Sequence, residues 1–258
     1  MPKLRIDKVA LRFRPKGTAE VTALEDISLE VEDREFSVIV GPSGCGKTSL
    51  LRLVAGLIQP SEGQIAIDGK PVTRPGKDRG MVFQSYTLFP WLTVQDNVEF
   101  GLKIAGLAAD ERARIAGRFI AEVGLSGFEK AYPKQLSGGM MQRVALARAL
   151  ACDPEVLLMD EPFGALDSQT RSLMQELLLG IWEHARKTVL FITHDIDEAI
   201  LLGDRVYVMT ARPGRIKERV EIAIPRPRSV DVLTSPEFIV LKRRIMALIH
   251  DEAVRAIR

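Results

Sequence analysis

The sequence predicts an α/β fold with a mostly parallel core sheet, an N-terminal antiparallel β part and an inserted helical part. Short apolar, β-branched runs alternate with segments of helical periodicity through most of the chain, and this alternation is typical of a parallel sheet covered by helices. The first 31 residues contain strand patterns with no helix between them, which indicates an antiparallel appendage. Residues 94–150 are almost entirely helical in pattern.

The individual elements follow from these patterns. The runs that predict strands buried on both faces lie at residues 36–40, 80–83, 155–160, 188–193 and 205–210. Helical spacing predicts a helix after Thr48 that ends near Gly56, and further helices at residues 168–185 and 196–202. Ser235 and Pro236 provide a helix cap and a first position for a terminal amphipathic helix.

We therefore expect one domain of 258 residues made of three parts. Residues 1–83 and 151–224 form the α/β core with its antiparallel part, and residues 84–150 form the helical part. Residues 225–258 form a linker and the C-terminal helix. At 258 residues and 46% apolar composition, the chain is long enough and apolar enough to bury a substantial core.

Composition excludes several classes of protein. The formal net charge is only +2, whereas a nucleic-acid-binding protein needs a basic surplus. Cys45 and Cys152 lack the spacing of a zinc site or a disulfide framework. No apolar run approaches the roughly 18 residues that cross a bilayer, and charges interrupt the N-terminus too often for a signal peptide. We expect a protein of a reducing compartment.

A phosphate-binding loop follows the first buried strand. The run GPSGCGKT fits the pattern G-x-x-x-x-G-K-[ST], in which glycines turn backbone N–H groups toward phosphate at a helix N-terminus. We predict that ATP binds Gly41, Pro42, Ser43, Gly44, Cys45, Gly46, Lys47, Thr48 and Ser49. Lys47 supplies a mobile positive charge, and the Thr48 hydroxyl is a ligand for Mg²⁺.

A second acidic element follows another buried strand. Residues 155–159 lead into Asp160 and Glu161, and a carboxylate at the carboxyl end of a parallel strand lies where ligands of open α/β folds bind. Asp160 is a predicted Mg²⁺ ligand, and Glu161 is a predicted general base for the attacking water.

The run LSGGMMQR at residues 136–143 resembles the signature motif of ATP-binding cassette (ABC) proteins. The P-loop, Gln84, this signature, LLMDEP, GALD and THD stand in that family's order. The resemblance implies a P-loop ATPase fold and a head-to-tail homodimer that sandwiches each ATP between one subunit's P-loop and the partner's signature. It also implies roles for further residues: Ser137, Gly138, Gly139 and Gln142 at the partner's nucleotide, Asp167 at the dimer contact, Gln84 at Mg²⁺ and water, and His194 at the γ-phosphate and Glu161.

Adenine in this family stacks on an aromatic residue upstream of the P-loop. The candidate is Phe13, although a role in the core is the alternative for this side chain. Residues 88–92, LFPWL, leave a similar choice, since so dense an apolar run is either core or an exposed groove for a partner helix.

The lack of a span implies that a transporter ATPase of this kind works with separate permease subunits at the cytoplasmic face of the cell membrane. The runs PWLTV, DEPFGALD and RVYVMTARPGRI look like the nitrate, sulfonate and taurine importer group, which implies a solute-binding protein as an indirect partner. The alternatives are the ATPase subunit of an exporter or of an importer for another solute class. No coiled coil separates P-loop and signature, which argues against a DNA-repair ATPase.

Overall fold

The computed structural model describes residues 1–14 and 19–257, so the last residue of the predicted C-terminal part lies outside the described residues. The strands are β1 (Leu4–Phe13), β2 (Val21–Val31), β3 (Phe36–Val40), β4 (Glu62–Ile67), β5 (Lys70–Pro71), β6 (Arg79–Val82), β7 (Val156–Asp160), β8 (Thr188–Ile192), β9 (Arg205–Met209) and β10 (Ile216–Glu221). The α-helices are α1 (Lys47–Val54), α2 (Val94–Ile104), α3 (Ala109–Glu122), α4 (Gly138–Ala151), α5 (Ser168–Ala185), α6 (Ile196–Leu202) and α7 (Pro236–Ile257). These elements confirm the predicted α/β class.

Contacts along the chain divide it into two compact units. The first unit consists of residues 1–76 and 186–258, and the second consists of residues 77–185. The predicted helical part, residues 84–150, lies within the second unit, which also contains β6, β7 and α5.

The first unit contains an antiparallel sheet of order β2-β1-β4-β5. Its second sheet places β3 between β8 and β9, both parallel to it, with β10 antiparallel to β9. Every residue of β3 and β8 is buried, as their unbroken apolar runs predict. Strand β10 escaped prediction because its IKERVE sequence has mostly charged, exposed or half-exposed residues and so carries no buried-strand pattern.

Helix α1 ends at the glycine that the sequence indicates. Gly56 has a φ of 74°, and the N–H of Leu57 donates to the carbonyl of Arg52 at 2.9 Å. A Cβ at this position would clash with the backbone of Arg74. Both the left-handed backbone and the crowding therefore require glycine here.

The second unit combines the parallel pair β6 and β7 with helices α2, α3, α4 and α5. All of β7 is buried, so its last residue, Asp160, is held at the end of a rigid strand. Helices α5 and α6, the latter in the first unit, have the predicted boundaries.

One buried arginine anchors the C-terminal linker in the first unit. The Arg228 side chain is 1% exposed and donates to backbone carbonyls of the segment after β10 and of the C-terminal end of α6, those of Ile222, Ile224, Ile200, Leu201 and Gly203. Burial lowers the pKa of Arg228 to about 10. Beyond the linker, α7 begins as predicted, with Ser235 accepting from the N–H of Phe238 at 3.2 Å.

Helix α7 buries its apolar face through Phe238 and Ile245, as the sequence pattern predicts. Among residues 1–14 and 19–257, none of the helices combines the length and the apolar character required for crossing a membrane.

Candidate functional site

The P-loop joins the buried strand β3 to helix α1. Gly44 and Gly46 have φ values of 75° and 104°, in the left-handed region that glycine adopts without strain. A Cβ at Gly46 would come within 2.6 Å of the Leu24 side chain. Lys47 is 6% exposed, and its ammonium donates to the carbonyls of Gly41 and Pro42 at 2.8 and 3.1 Å. The Lys47 side chain thus folds back onto the loop in which it is predicted to bind phosphate.

The other P-loop side chains differ in accessibility. Cys45 is 1% exposed, so its thiol is enclosed, whereas Ser43 is exposed and Thr48 and Ser49 are half-buried. The first unit also carries Phe13 at the end of β1 and His194 two residues beyond β8. Phe13 is 43% exposed, which argues against the core alternative. His194 is exposed.

The second unit brings the predicted base and the predicted water-positioning residue together. Asp160 is 5% exposed, and the half-buried Glu161 has a φ of 43°. A left-handed backbone at a non-glycine residue is typical of strained functional positions. The Nε2 atom of Gln84 and the Oε2 atom of Glu161 each lie 3.8 Å from the point that a Cβ on Gly164 would occupy. The two side chains therefore share one small region beside Gly164.

The signature motif begins helix α4. The Ser137 hydroxyl accepts from the N–H of Met140 at 3.3 Å and so caps the helix. A Cβ on Gly138 would lie 2.7 Å from the Tyr86 hydroxyl, and one on Gly139 would lie 2.7 Å from the Thr170 methyl group. A side chain at either position would force Tyr86 or Thr170 to shift.

Asp167 occupies the start of α5. Its carboxylate accepts from the N–H and the hydroxyl of Thr170 at 2.9 and 2.8 Å. These hydrogen bonds lower the pKa of Asp167, since they stabilise the ionised form. The residue predicted at the dimer contact thus also caps a helix.

Gln142 differs from the other signature residues. It is 1% exposed and lines a small internal cavity with apolar side chains such as Leu146 and Met174. Its Oε1 atom has no hydrogen-bond partner among the described residues. This enclosure argues against the predicted contact of Gln142 with a partner's nucleotide.

Comparison with known proteins decides the family. Residues 24–164, more than half of the chain, match the family model described as ABC transporter. The chain belongs to the ABC transporter family. It is an ATP-binding subunit with the ABC ATPase domain, as the motif order predicts.

Relatives of this ABC subunit match along most of their own length. It is 54% identical over 256 residues to an uncharacterized ABC transporter ATP-binding protein of Methanocaldococcus jannaschii, covering 99% of this chain and 94% of the relative. It is 51% identical to a nitrate import ATP-binding protein of Synechocystis, with 89% of each chain covered. An aliphatic sulfonates import ATP-binding protein of Bacillus cereus is 47% identical, with 93% of each covered.

A solved structure supports the ABC fold independently. The dimeric structure of a bacterial ABC transporter cassette superposes with a TM-score of 0.76 at 33% identity, covering 86% of this chain and all of the other. A second structure of that cassette is described as a post-hydrolysis state bound to ADP and Pi.

The ABC subunit offers donors that suit a magnesium nucleotide. Thr48, Gln84 and Asp160 provide oxygen ligands, which Mg²⁺ prefers. Within residues 1–14 and 19–257, no group of three or more His, Cys, Asp and Glu residues could hold a metal ion.

The apolar segment after Gln84 is one that the sequence could not assign to core or surface. None of residues 88–92 is buried, and Trp91 is 70% exposed. The Phe89 ring lies 5.7 Å from that of Trp91 and 4.4 Å from that of Phe100, between ring centroids. Residues 88–92 therefore present an aromatic surface in the second unit, and the core alternative is wrong.

Sequence reasoning missed the residue that holds this surface in place. Asn97 is fully buried, its amide donates to the carbonyls of Phe89, Leu92 and Thr93, and its oxygen accepts from the N–H of Phe89. The available signal in the sequence was an asparagine beside Val98, four residues after the Thr93 cap of a predicted helix.

Proposed function

We propose that the chain hydrolyses ATP to ADP and phosphate and thereby energises uptake of a small oxyanion through a separate permease. The observation that carries the hydrolytic part is the placement of Glu161 and Gln84 beside Gly164, at the end of a buried strand. The solute class rests on the nitrate and aliphatic sulfonates import relatives, at 51% and 47% identity. Nitrate, alkanesulfonates and taurine are the proposed solutes.

The reaction follows from these side chains. The Glu161 carboxylate takes a proton from a water molecule as the water oxygen bonds to the γ-phosphorus, and the bond to the β-phosphate oxygen breaks to leave ADP. Gln84 orients the water, and His194 donates to the γ-phosphate. Lys47 neutralises phosphate charge, and Phe13 stacks on adenine. Thr48, Gln84 and Asp160 would hold Mg²⁺, and the bound ion would supply positive charge beside the phosphate oxygens.

We further propose that two copies form a head-to-tail dimer around two ATP molecules. The capped N-terminus of α4, with the exposed Ser137 and the amides of Gly138 and Gly139, suits the γ-phosphate of an ATP molecule bound to the partner subunit. Asp167 would contact the partner from the start of α5. The dimeric state of the structurally similar cassette supports this arrangement.

The permease is proposed to dock on the aromatic surface formed by residues 88–92. An exposed tryptophan braced by Phe89 resembles the anchors that dominate protein interfaces. Because this segment begins four residues after Gln84, a partner helix bound there would act on the water-positioning residue through a short stretch of chain. The proposed location is thus peripheral, at the cytoplasmic face of the membrane, with the solute-binding protein reaching the complex through the permease.

Trp91→Ala tests the docking site. We expect affinity for the permease to fall about tenfold, because an exposed aromatic anchor is worth at least about 1 kcal/mol. Transport by the reconstituted complex should fall more than ATP hydrolysis by the isolated subunit. Val240→Ala removes a similarly exposed apolar side chain, 65% exposed on α7, and serves as the control. Normal transport by the Trp91 variant would contradict docking at this surface.

Growth on single nutrient sources tests the solute class. A strain lacking this chain should fail on nitrate, on an alkanesulfonate or on taurine, while growing normally on ammonium and sulfate. The wild-type chain should restore growth, and the Glu161→Gln variant should not. Normal growth on all three solutes would reject the proposed solute class, and solute accumulation inside the deletion strain would indicate an exporter.

A further inference from the structure

An arginine far along the chain holds the backbone of the P-loop. Residues 210–215, the loop between β9 and β10, lie against the P-loop in the first unit. The Nε atom of Arg212 donates to the carbonyl oxygen of Gly44 at 2.8 Å. Gly214 lies so close to the carbonyl of Cys45 that a Cβ there would clash with it. Two neighbouring P-loop carbonyls therefore face the 210–215 loop, and one of them is bound by a cation.

This contact determines where a P-loop N–H group points. A trans peptide is planar, with its C=O and N–H on opposite sides. When Arg212 holds the Gly44 carbonyl outward, the N–H of Cys45 in the same peptide faces the interior of the P-loop. There it meets the Pro42 carbonyl at 3.3 Å, a long bond that a phosphate oxygen can displace. A charged donor on the carbonyl also polarises the peptide and makes its N–H a stronger donor.

The 210–215 loop is itself fixed. The Thr210 hydroxyl accepts from the N–H of Arg215 at 2.9 Å and donates to the Pro213 carbonyl at 2.9 Å. Glu252 of α7, which is 3% exposed, accepts from the N–H of Ala211 at 3.3 Å and pairs with Lys217 at 2.9 Å. The backbone that carries Arg212 is therefore held in place, and the exposed Arg212 side chain reaches the P-loop from this fixed loop.

We infer that Arg212 is a positioning residue of the nucleotide site, which sets affinity for the ATP and ADP phosphates by orienting the Gly44–Cys45 peptide. The inference rests on the proposed function, in which the P-loop binds ATP. It assigns Arg212 no contact with the reacting atoms, so its effect falls on binding more than on turnover. A purely structural brace would alter thermal stability and leave nucleotide affinity unchanged.

The test compares Arg212→Ala and Arg212→Lys with Arg215→Ala. Arg215 belongs to the same loop and is exposed like Arg212, but its side chain pairs with Glu25 at 2.7 Å. Calorimetry on the full chain gives the Kd for ATP and ADP, steady-state assays give KM and kcat, and thermal unfolding gives Tm. We expect Arg212→Ala to raise both Kd values about tenfold and to raise KM by more than it lowers kcat. Arg212→Lys should restore part of the affinity, and Arg215→Ala should match wild type.

Several outcomes would overturn the inference. These are an unchanged Kd in Arg212→Ala, a loss confined to kcat or Tm, and an equal loss of affinity in Arg215→Ala, which would indicate a general charge effect. Lys47→Ala, measured in parallel, separates this inference from the proposed function. If Lys47→Ala loses ATP and Arg212→Ala keeps it, only the positioning role fails. If Lys47→Ala binds ATP normally, the P-loop assignment itself fails.

Discussion

Glu161→Gln should lower kcat for ATP hydrolysis about 1000-fold, within the range attributed to general acid–base catalysis. The amide keeps the size of the carboxylate but cannot accept the proton of the attacking water. ATP should still bind, because the substitution leaves the P-loop and Lys47 intact. A purified variant assayed for phosphate release and for nucleotide binding would show the two effects separately.

The same variant reports on the proposed dimer. ATP that binds without being hydrolysed should hold two subunits together, so size-exclusion chromatography should show an ATP-dependent dimer. Glu176→Gln, an exposed carboxylate on α5 of the same unit, is the control and should hydrolyse ATP at the wild-type rate. A Glu161→Gln variant that stays monomeric and fully active would refute the assigned role.

Lys47→Ala should raise the Kd for ATP about 100-fold or more. A hydrogen bond to a charged group contributes about 1.5–3 kcal/mol, and the lysine is placed to make such bonds to phosphate oxygens. In the structure its ammonium donates hydrogen bonds to the carbonyls of Gly41 and Pro42, and these bonds must break when the lysine binds a phosphate. Calorimetric titration with ATP measures the loss directly.

Lys70→Ala is the matched control for this variant, since Lys70 is an exposed lysine on β5 of the same unit. It should bind ATP with wild-type affinity, which would show that the loss of one positive charge elsewhere in the unit does not by itself weaken ATP binding. Unchanged affinity in Lys47→Ala would remove the basis for a nucleotide site at residues 41–49. Thermal unfolding of both variants distinguishes lost binding from lost folding, because Lys47 is itself buried.

Much of the fold could be predicted because its signals are local. The buried runs, the helix boundaries of α5 and α6, and the glycine that ends α1 all lie in short stretches with a period or a turn residue. Strand β10 lacks such a signal, since its charged residues are compatible with a loop. Its strand state depends on pairing with β9, which no local pattern reveals.

Some parts of the candidate site also have local sequence signals, and other parts do not. The P-loop, the acidic pair at the end of β7 and the signature can be recognised from consecutive residues whose chemistry is tied to their order. The exposure of Phe13 and Trp91 could not be predicted from the sequence, because an aromatic residue gives the same local pattern in a core and on a surface. Gln142 shows the opposite case, a signature residue that the fold encloses.

The sequence by itself therefore determined the family, the α/β class and the residues that can do phosphate chemistry, since those depend on residue type at fixed spacing. Only the tertiary structure decided what surrounds them. It placed Tyr86 against Gly138, and Gln84 with Glu161 beside Gly164. It also brought Arg212 to Gly44 across 168 positions of chain. Such contacts join residues that are far apart in the chain. The residues next to either one in the sequence carry no signal that predicts the contact.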